Sequence, residues 1–140
     1  MTEGDFKQAC MQFLNIPYKW GGATPLVGLD CSGLVQELLS IIGIDPPGDQ
    51  TAFALMQHFE KEGIASGPGT GSLVFYGKNG VVSHVGMMIS PTHIIEAGGG
   101  GSTTSNLDVA KEQDARVRIR RFDRRSDIVK IIKPKGLPWE

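Results

Sequence analysis

The stretch from Asp30 to Gly43, DCSGLVQELLSIIG, is typical of a helix that begins at a cysteine. Its apolar residues recur at helical spacing: Leu34, Val35, Leu38, Leu39 and Ile42. Asp30 stands where an N-cap residue belongs, and Gly43 is a typical stop. The sequence therefore predicts a helix from Cys31 to Ile42 whose first turn carries a thiol.

On either side of this helix the hydrophobic pattern indicates the fold class. Helical spacing also covers 2–14 and 49–62, whereas the period becomes two beyond Gly71. Strands are predicted over 73–76, 81–89, 93–97, 116–122 and 128–133. We therefore expect an α+β fold over 1–140, one domain with N-terminal helices packed on a C-terminal antiparallel sheet.

Composition excludes several classes of protein. The 140 residues, 40% of them hydrophobic, suffice for a core without disulfides or metals. A net charge of −1 gives no global attraction to nucleic acid or anionic membranes. Arg116, Arg118 and Arg120 alternate with other residues, which is typical of the solvated face of a strand.

Two further absences bear on location. The sequence has no apolar run of roughly 18 residues, and the segment 1–19 lacks the basic start and apolar centre of a signal peptide. We therefore expect no membrane span and no signal peptide, and a chain that is cytoplasmic as synthesised.

The two cysteines lie in contrasting surroundings. A thiol attacks a carbonyl only as the thiolate, which a helix N-terminus or a cationic histidine stabilises. Cys31 opens its helix, where unpaired N–H groups and the positive end of the dipole can also hold an oxyanion. Cys10 lies on the apolar stripe of the first helix, where burial keeps a thiol inert. Cys31 is the expected nucleophile.

Position selects among three histidines as the general base. His58 falls near a helix end beside Glu60, which is typical of a solvated residue. His84 lies within a strand near Gly86, whose missing side chain leaves space above the sheet for a cleft. We therefore expect His84 to be the base.

Strand register indicates which group orients His84. A hairpin loop of about three or five residues between 81–89 and 93–97 places even-numbered positions of both strands on one face. Glu96 then lies beside His84 and His93 does not, whereas a β-bulge would reverse the choice. A carboxylate in that position favours the imidazolium, which in turn favours the thiolate.

A metal site is the rival use of these side chains. Cys31, His84, His93 and Glu96 are all residue types that bind zinc, but the sequence has no short paired-ligand motif such as CxxC or HExxH. We expect neither a metal nor an organic cofactor.

Four short blocks point to a known family. The blocks at 30–35 (DCSGLV) and 83–86 (SHVG) closely resemble the two signature blocks of the NlpC/P60 family of papain-like cysteine peptidases. The blocks at 17–22 (PYKWGG) and 71–76 (GSLVFY) are similar to the family's approach to the cysteine and to its strand before the histidine. The resemblance covers about residues 17–97, in family order.

The resemblance implies a reaction and three catalytic positions. Cys31 is implied as the nucleophile, His84 as the base and Glu96 as the third polar position. The implied reaction is hydrolysis of an amide in peptidoglycan stem peptides, typically between D-γ-glutamate and diaminopimelate or lysine. It proceeds through an acyl-enzyme without a cofactor.

The resemblance also implies substrate-binding residues and shows departures. Tyr18 is implied to direct its hydroxyl into the site, and Asp30 and Ser32 to help recognise the stem peptide. The family commonly has His, Asn or Gln at the position of Glu96 and Asp at that of Ser72. It also often has a basic residue near 46–48, which this sequence lacks.

Two alternatives remain open. The same Cys31 and His84 are suited to another acyl substrate, in an amidase, an esterase or an acyl transferase. A wall-binding or structural tail module with a vestigial site is the other, although the intact pair favours an enzyme. The sequence shows no wall-binding repeat, and in this it resembles wall hydrolases that phage tails or prophages carry. We therefore expect peptidoglycan stem peptides as the binding partners, and phage tail proteins as further partners.

Overall fold

The computed structural model describes residues 1–140 and contains four α-helices and eight strands. In chain order these are α1 (Glu3–Met11), β1 (Ala23–Thr24), β2 (Gly28–Leu29), α2 (Cys31–Ile41), α3 (Ala52–Glu62), β3 (Gly63–Ala65), β4 (Leu73–Lys78), β5 (Val81–Met88), β6 (His93–Gly98), α4 (Leu107–Gln113), β7 (Arg116–Arg121) and β8 (Ile128–Pro134). A 3₁₀ turn, Phe122–Arg124, follows β7. None of the helices combines the length and apolar character that crossing a membrane requires. The predicted α+β class is confirmed.

One antiparallel sheet forms the C-terminal half. Its six strands run in the order β3-β8-β4-β5-β6-β7, so β4, β5 and β6 occupy neighbouring positions. The β4–β5 turn contains Asn79 and Gly80, both with positive φ, as a tight hairpin requires. Strands β1 and β2 form a separate two-stranded ribbon just before α2.

The central strands bury both faces, which explains their nearly continuous apolar sequences. On one face, residues such as Phe75 and Met87 join Leu34 and Leu38 of α2 in the main core. The other face carries a smaller buried cluster of Val74, Tyr76, Met88 and Ile94. The sheet thus fixes β5 and β6 between two packed layers, and α2 lies against them.

Helix α4 and strand β3 were not predicted from the sequence, and neither were the two short ribbon strands β1 and β2. Helix α4 interrupts the order of helices first and strands second, and Ala110 is its one buried residue, so it lacks an apolar stripe. Strand β3 is a short edge strand with little burial. Helix α3 begins at Ala52, three residues later than Asp49, because Thr51 caps it through the N–H of Ala54.

Candidate active site

The first turn of α2 places Cys31 at the edge of the core. Asp30 caps the helix, and its Oδ1 accepts from the Gly33 N–H at 2.7 Å and from the Ser32 hydroxyl at 3.2 Å. Burial raises the pKa of Asp30, although both hydrogen bonds oppose the shift. The N–H groups of Cys31 and Ser32 lie outside the helix's own hydrogen-bond ladder, near the sulfur. This end of α2 is suited to a thiolate and to an oxyanion.

Two glycines let the preceding loop approach this turn. The Asp30 N–H donates to the Gly22 carbonyl at 3.0 Å. A Cβ on Gly33 would lie 2.2 Å from that same carbonyl oxygen, so no larger residue fits there without movement of the backbone. The Gly-rich approach therefore holds the loop against the start of α2.

Strands β5 and β6 bring a histidine and a carboxylate together. The pairing extends to Ile89, whose N–H donates to the His93 carbonyl at 3.0 Å, so the loop between paired positions is Ser90 to Thr92. This odd loop places the even-numbered positions of β5 from His84 onward on the same face as those of β6, as the sequence predicted, because the bulge in β5 lies between Val82 and His84.

On that face His84 Nε2 lies 2.8 Å from Glu96 Oε1. His93 instead bonds the hydroxyl of its neighbour Thr92, at 2.8 Å, and takes no part in this contact. His84 is therefore paired with Glu96 and not with His93, as strand register predicts.

The charges of this pair reinforce one another. Burial alone would lower the pKa of His84, but the neighbouring Cys31 thiol and the Glu96 carboxylate outweigh burial and raise that pKa to about 9. Burial would raise the pKa of Glu96, but His84 and then Arg118 outweigh it and hold that pKa below its usual value. Near neutral pH the pair is thus an imidazolium beside a carboxylate. Because Nε2 faces Glu96, Nδ1 is the ring nitrogen left for the Cys31 sulfur.

A cleft of about 310 Å³ opens above the thiol, a size found in ligand pockets. Its lining comprises Tyr18, Trp20, Gly21, Asp30, Cys31, Ser32, Asp49, Gln50, Thr51, Ala52, Phe53, Val82 and Ser83. The three residues implied as substrate-binding, Tyr18, Asp30 and Ser32, all lie in it. Burial, and then the charges of Cys31 and Asp30, raise the pKa of the Tyr18 phenol, so it enters the cleft as a neutral hydroxyl.

Gln36 supports the wall of the cleft that contains Gln50. This role was not predicted from the sequence. Gln36 Nε2 donates to Asp45 Oδ1 at 3.0 Å and to the Gly48 carbonyl at 2.8 Å, and its Oε1 accepts from the Gln50 N–H at 2.8 Å. One buried amide therefore anchors the loop that leads into α3.

The segment Gly98–Ser105 packs against the site. A Cβ on Gly100 would lie 2.5 Å from the Tyr18 ring, and the Trp20 N–H donates to the Thr104 carbonyl at 2.7 Å. Thr104 is fully buried. The segment therefore backs the aromatic residues that line the cleft.

The prediction of a solvated arginine face is wrong for Arg118. The structure pairs Arg118 of β7 with Glu96 of β6, and its side chain is only 13% exposed. Its Nε lies 3.8 Å from Glu96 Oε2. Burial against β6 explains the difference, because strand alternation shows which side chains share a face but not what covers that face.

The second thiol lies apart from the cleft, as expected. Cys10 is fully buried within α1, and burial raises its pKa to about 12. Cys10 therefore stays a neutral thiol near neutral pH.

A cysteine at a helix N-terminus, facing a histidine and a carboxylate on an antiparallel sheet, defines the papain-like class of α+β proteins. Comparison with protein families identifies the branch. The model of the NlpC/P60 family matches residues 15–121, and the chain belongs to this family.

Relatives and a solved structure agree with that assignment. The chain is 34% identical over 96 residues to the bifunctional muramidase/DL-endopeptidase CwlT of Bacillus subtilis (strain 168), covering 65% of this chain and 28% of that protein. It is 30% identical over 122 residues to the gamma-DL-glutamyl hydrolase of the same strain, covering 83% of this chain and 28% of that protein. The chain thus spans 28% of the length of each relative.

A crystal structure shares the fold. An NlpC/P60 family protein from Bacillus cereus ATCC 10987 superposes with a TM-score of 0.67 at 21% identity, covering 99% of this chain and 41% of that chain. At this identity the likeness concerns the fold.

Proposed function

We propose that the chain is a cysteine endopeptidase that hydrolyses an amide bond in peptidoglycan stem peptides, between D-γ-glutamate and diaminopimelate or lysine. The observation that carries the proposal is the contact of His84 Nε2 with Glu96 at 2.8 Å, which leaves the ring's other nitrogen for Cys31 at the start of α2. This arrangement supplies a thiolate, a proton donor and an oxyanion site at the start of α2.

The first half of the reaction forms a thioester. The Cys31 thiolate attacks the scissile carbonyl, and free N–H groups at the start of α2 stabilise the oxyanion. As the tetrahedral intermediate collapses, the C–N bond breaks and His84 donates its proton to the leaving amine. The acyl group remains on Cys31, and His84 is now neutral.

The second half returns the enzyme to its starting state. Neutral His84 accepts a proton from water, and the resulting hydroxide attacks the thioester carbonyl. The C–S bond breaks, the product leaves as a carboxylic acid that loses its remaining proton to solvent, and Cys31 regains its thiolate beside the imidazolium. Glu96 holds the ring through Nε2–H in both halves, which keeps Nδ1 directed at the reacting atoms.

The residues of the cleft and the names of the relatives both support the proposed specificity for stem peptides. Asp30 and Ser32 line the cleft, and a carboxyl in that position suits a peptide ammonium group. The names of both relatives specify DL bonds, and one specifies a γ-glutamyl bond. A γ-linked glutamyl oligomer is the second substrate to test, because the relative whose name specifies a γ-glutamyl bond covers the larger share of this chain.

The test is digestion of purified peptidoglycan, defined stem tripeptides and tetrapeptides, and γ-linked glutamyl oligomers, with products identified by mass spectrometry. The wild type is expected to release one new amine at the γ-D-glutamyl bond of the stem, whereas Cys31→Ser releases none. Cys10→Ser is the matched control and retains cleavage. Cleavage of the oligomers but not of the stems would overturn the stem assignment, and equal products from Cys31→Ser would overturn the mechanism.

A further inference from the structure

Glu96 brings a negative charge into a buried part of the site. Its side chain is 3% exposed, and burial by itself raises the pKa of a carboxyl group. His84 compensates this charge only while its ring is an imidazolium. In the proposed acyl-enzyme His84 has given up that proton, so the carboxylate requires another positive charge.

Arg118 lies directly opposite Glu96 on the neighbouring strand. The two residues are paired in register between β6 and β7. Arg118 Nε lies 3.8 Å from Glu96 Oε2, whereas His84 contacts Oε1, so each partner has its own carboxylate oxygen. The Nε atom is buried and has no hydrogen-bond partner. At 3.8 Å the contact with Glu96 is an ion pair rather than a hydrogen bond.

The backbone after Glu96 leaves room for this guanidinium. A Cβ on Gly98 would lie 3.1 Å from Arg118 Nη2 and 3.1 Å from Glu96 Oε2. A Cβ on Gly99 would lie 3.3 Å from Arg118 Nη1. Two consecutive glycines therefore let the chain cover the ion pair closely, which shields it from water and strengthens it.

Several other charged or titratable groups surround the pair. They are Cys31 of α2, Tyr76 of β4, Arg116 and Arg120 of β7, Arg124 of the 3₁₀ turn, and Arg125 and Asp127 before β8, and of these Arg116 pairs with Asp114. Arg125 pairs with Asp127 and stacks over the Tyr76 ring, and Arg124 is exposed. Arg118 alone among these cations combines burial with contact to Glu96.

We propose that Arg118 is a positioning residue that keeps Glu96 ionised and oriented when His84 is neutral. An ionised Glu96 goes on accepting from Nε2–H, so the lone pair of the neutral ring stays on Nδ1, towards the thioester and the attacking water. Without Arg118, loss of the proton would leave a buried carboxylate uncompensated, so His84 would hold that proton more tightly. The catalytic consequence rests on the proposed function, but the electrostatic one requires no substrate.

The first test is titration of the His84 ring by NMR in the free enzyme. Arg118→Met is expected to raise the His84 pKa by roughly half to one unit, and Arg118→Lys to keep it near the wild-type value. Arg120→Met is the matched control, since Arg120 lies on the same strand and face without a carboxylate partner, and it leaves the pKa unchanged. An unchanged pKa in Arg118→Met, or an equal shift in Arg120→Met, would overturn the proposal.

A double variant tests whether Arg118 acts through Glu96. In the Glu96→Gln background, Arg118→Met is expected to shift the His84 pKa far less than it does in the wild type. A shift of full size would mean that Arg118 acts on His84 directly, which contradicts a positioning role. If Arg118→Met does not fold, Arg118→Gln replaces it in both backgrounds, because its amide still provides polar atoms at the buried position.

The catalytic arm uses any substrate that the wild type cleaves. Arg118→Met is expected to lower kcat about tenfold at neutral pH with little change in KM, and to accumulate acyl-enzyme on Cys31 in acid-quenched samples. A raised KM at unchanged kcat would contradict the proposal. If the wild type cleaves no stem peptide, the proposed function fails, while the NMR titrations still decide the role of Arg118.

Discussion

Cys10 and Cys31 are both cysteines of short helices, yet their surroundings give them opposite chemistry. Cys10 lies inside α1 with its side chain in the apolar core, where burial raises its pKa to about 12. Cys31 opens α2 at the edge of a cleft, with N–H groups of the helix start and the His84 ring beside it. The position along a helix and the facing strand therefore decide whether a thiol packs in the core or reacts.

The largest expected effect is the difference in activity between the serine variants of the two cysteines. Cys31→Ser removes the nucleophile and is expected to lower kcat/KM for stem cleavage by at least about 10³-fold with little loss of stability. Cys10→Ser keeps activity but places a hydroxyl in an apolar core, which costs about 1–3 kcal/mol of the free energy of unfolding. Product assays and urea denaturation measure the two effects. Loss of activity in a folded Cys10→Ser would contradict the inert role of Cys10.

A smaller effect is expected when the carboxylate of Glu96 is removed and the Cys31 thiol is kept. Glu96→Gln keeps the shape of the third residue but withdraws the carboxylate that supports the His84 imidazolium. Because Glu96 raises the pKa of His84, its loss lowers that pKa from about 9. The pH at which activity falls on the alkaline side is therefore expected to be lower by roughly one to two units.

The pH dependence of kcat/KM measures this shift, with Glu60→Gln on the exposed face of α3 as control. The control variant is expected to follow the wild-type profile. An alkaline limit that stays near pH 9 in Glu96→Gln would show that Glu96 does not support the imidazolium.

The smallest expected effect compares the caps of the two helices. Thr2 caps α1 and Asp30 caps α2 through equivalent hydrogen bonds, to the N–H groups of Asp5 and Gly33. Replacing either cap with alanine is expected to cost about 1 kcal/mol of unfolding free energy. Asp30→Ala should also weaken stem-peptide binding, seen as a raised KM, whereas Thr2→Ala should not. Equal KM values in the two variants would remove Asp30 from the substrate site.

Local signals explain how much of the fold and of the site the sequence predicts. The apolar spacing and the N-cap of α2 place Cys31 at a helix start. The odd loop of the β5–β6 hairpin fixes the register that joins His84 to Glu96, because a short turn leaves few alternatives. These features depend on residues close together in the chain, so pattern and spacing suffice.

The features that sequence did not predict depend on distant partners. Arg118 reaches Glu96 through β7, but the connection from β6 contains α4, and no short turn sets the register. Gln36 interrupts the apolar side of α2 to hold a loop that follows much later in the chain. Such contacts follow from tertiary packing. The cytoplasmic location at synthesis and the association with phage tails stay predictions.

The proposed mechanism requires Cys31 to carry the acyl group during amide hydrolysis. The most direct measurement is acid quenching of the wild type during turnover of a defined stem peptide, followed by intact-mass analysis and peptide mapping. We expect an adduct of the amino-terminal acyl group, one water lighter than the released acid product, attached to Cys31 and absent from Cys10 and from the Cys31→Ser variant. Turnover without any adduct on Cys31, or with the adduct on another residue, would contradict it.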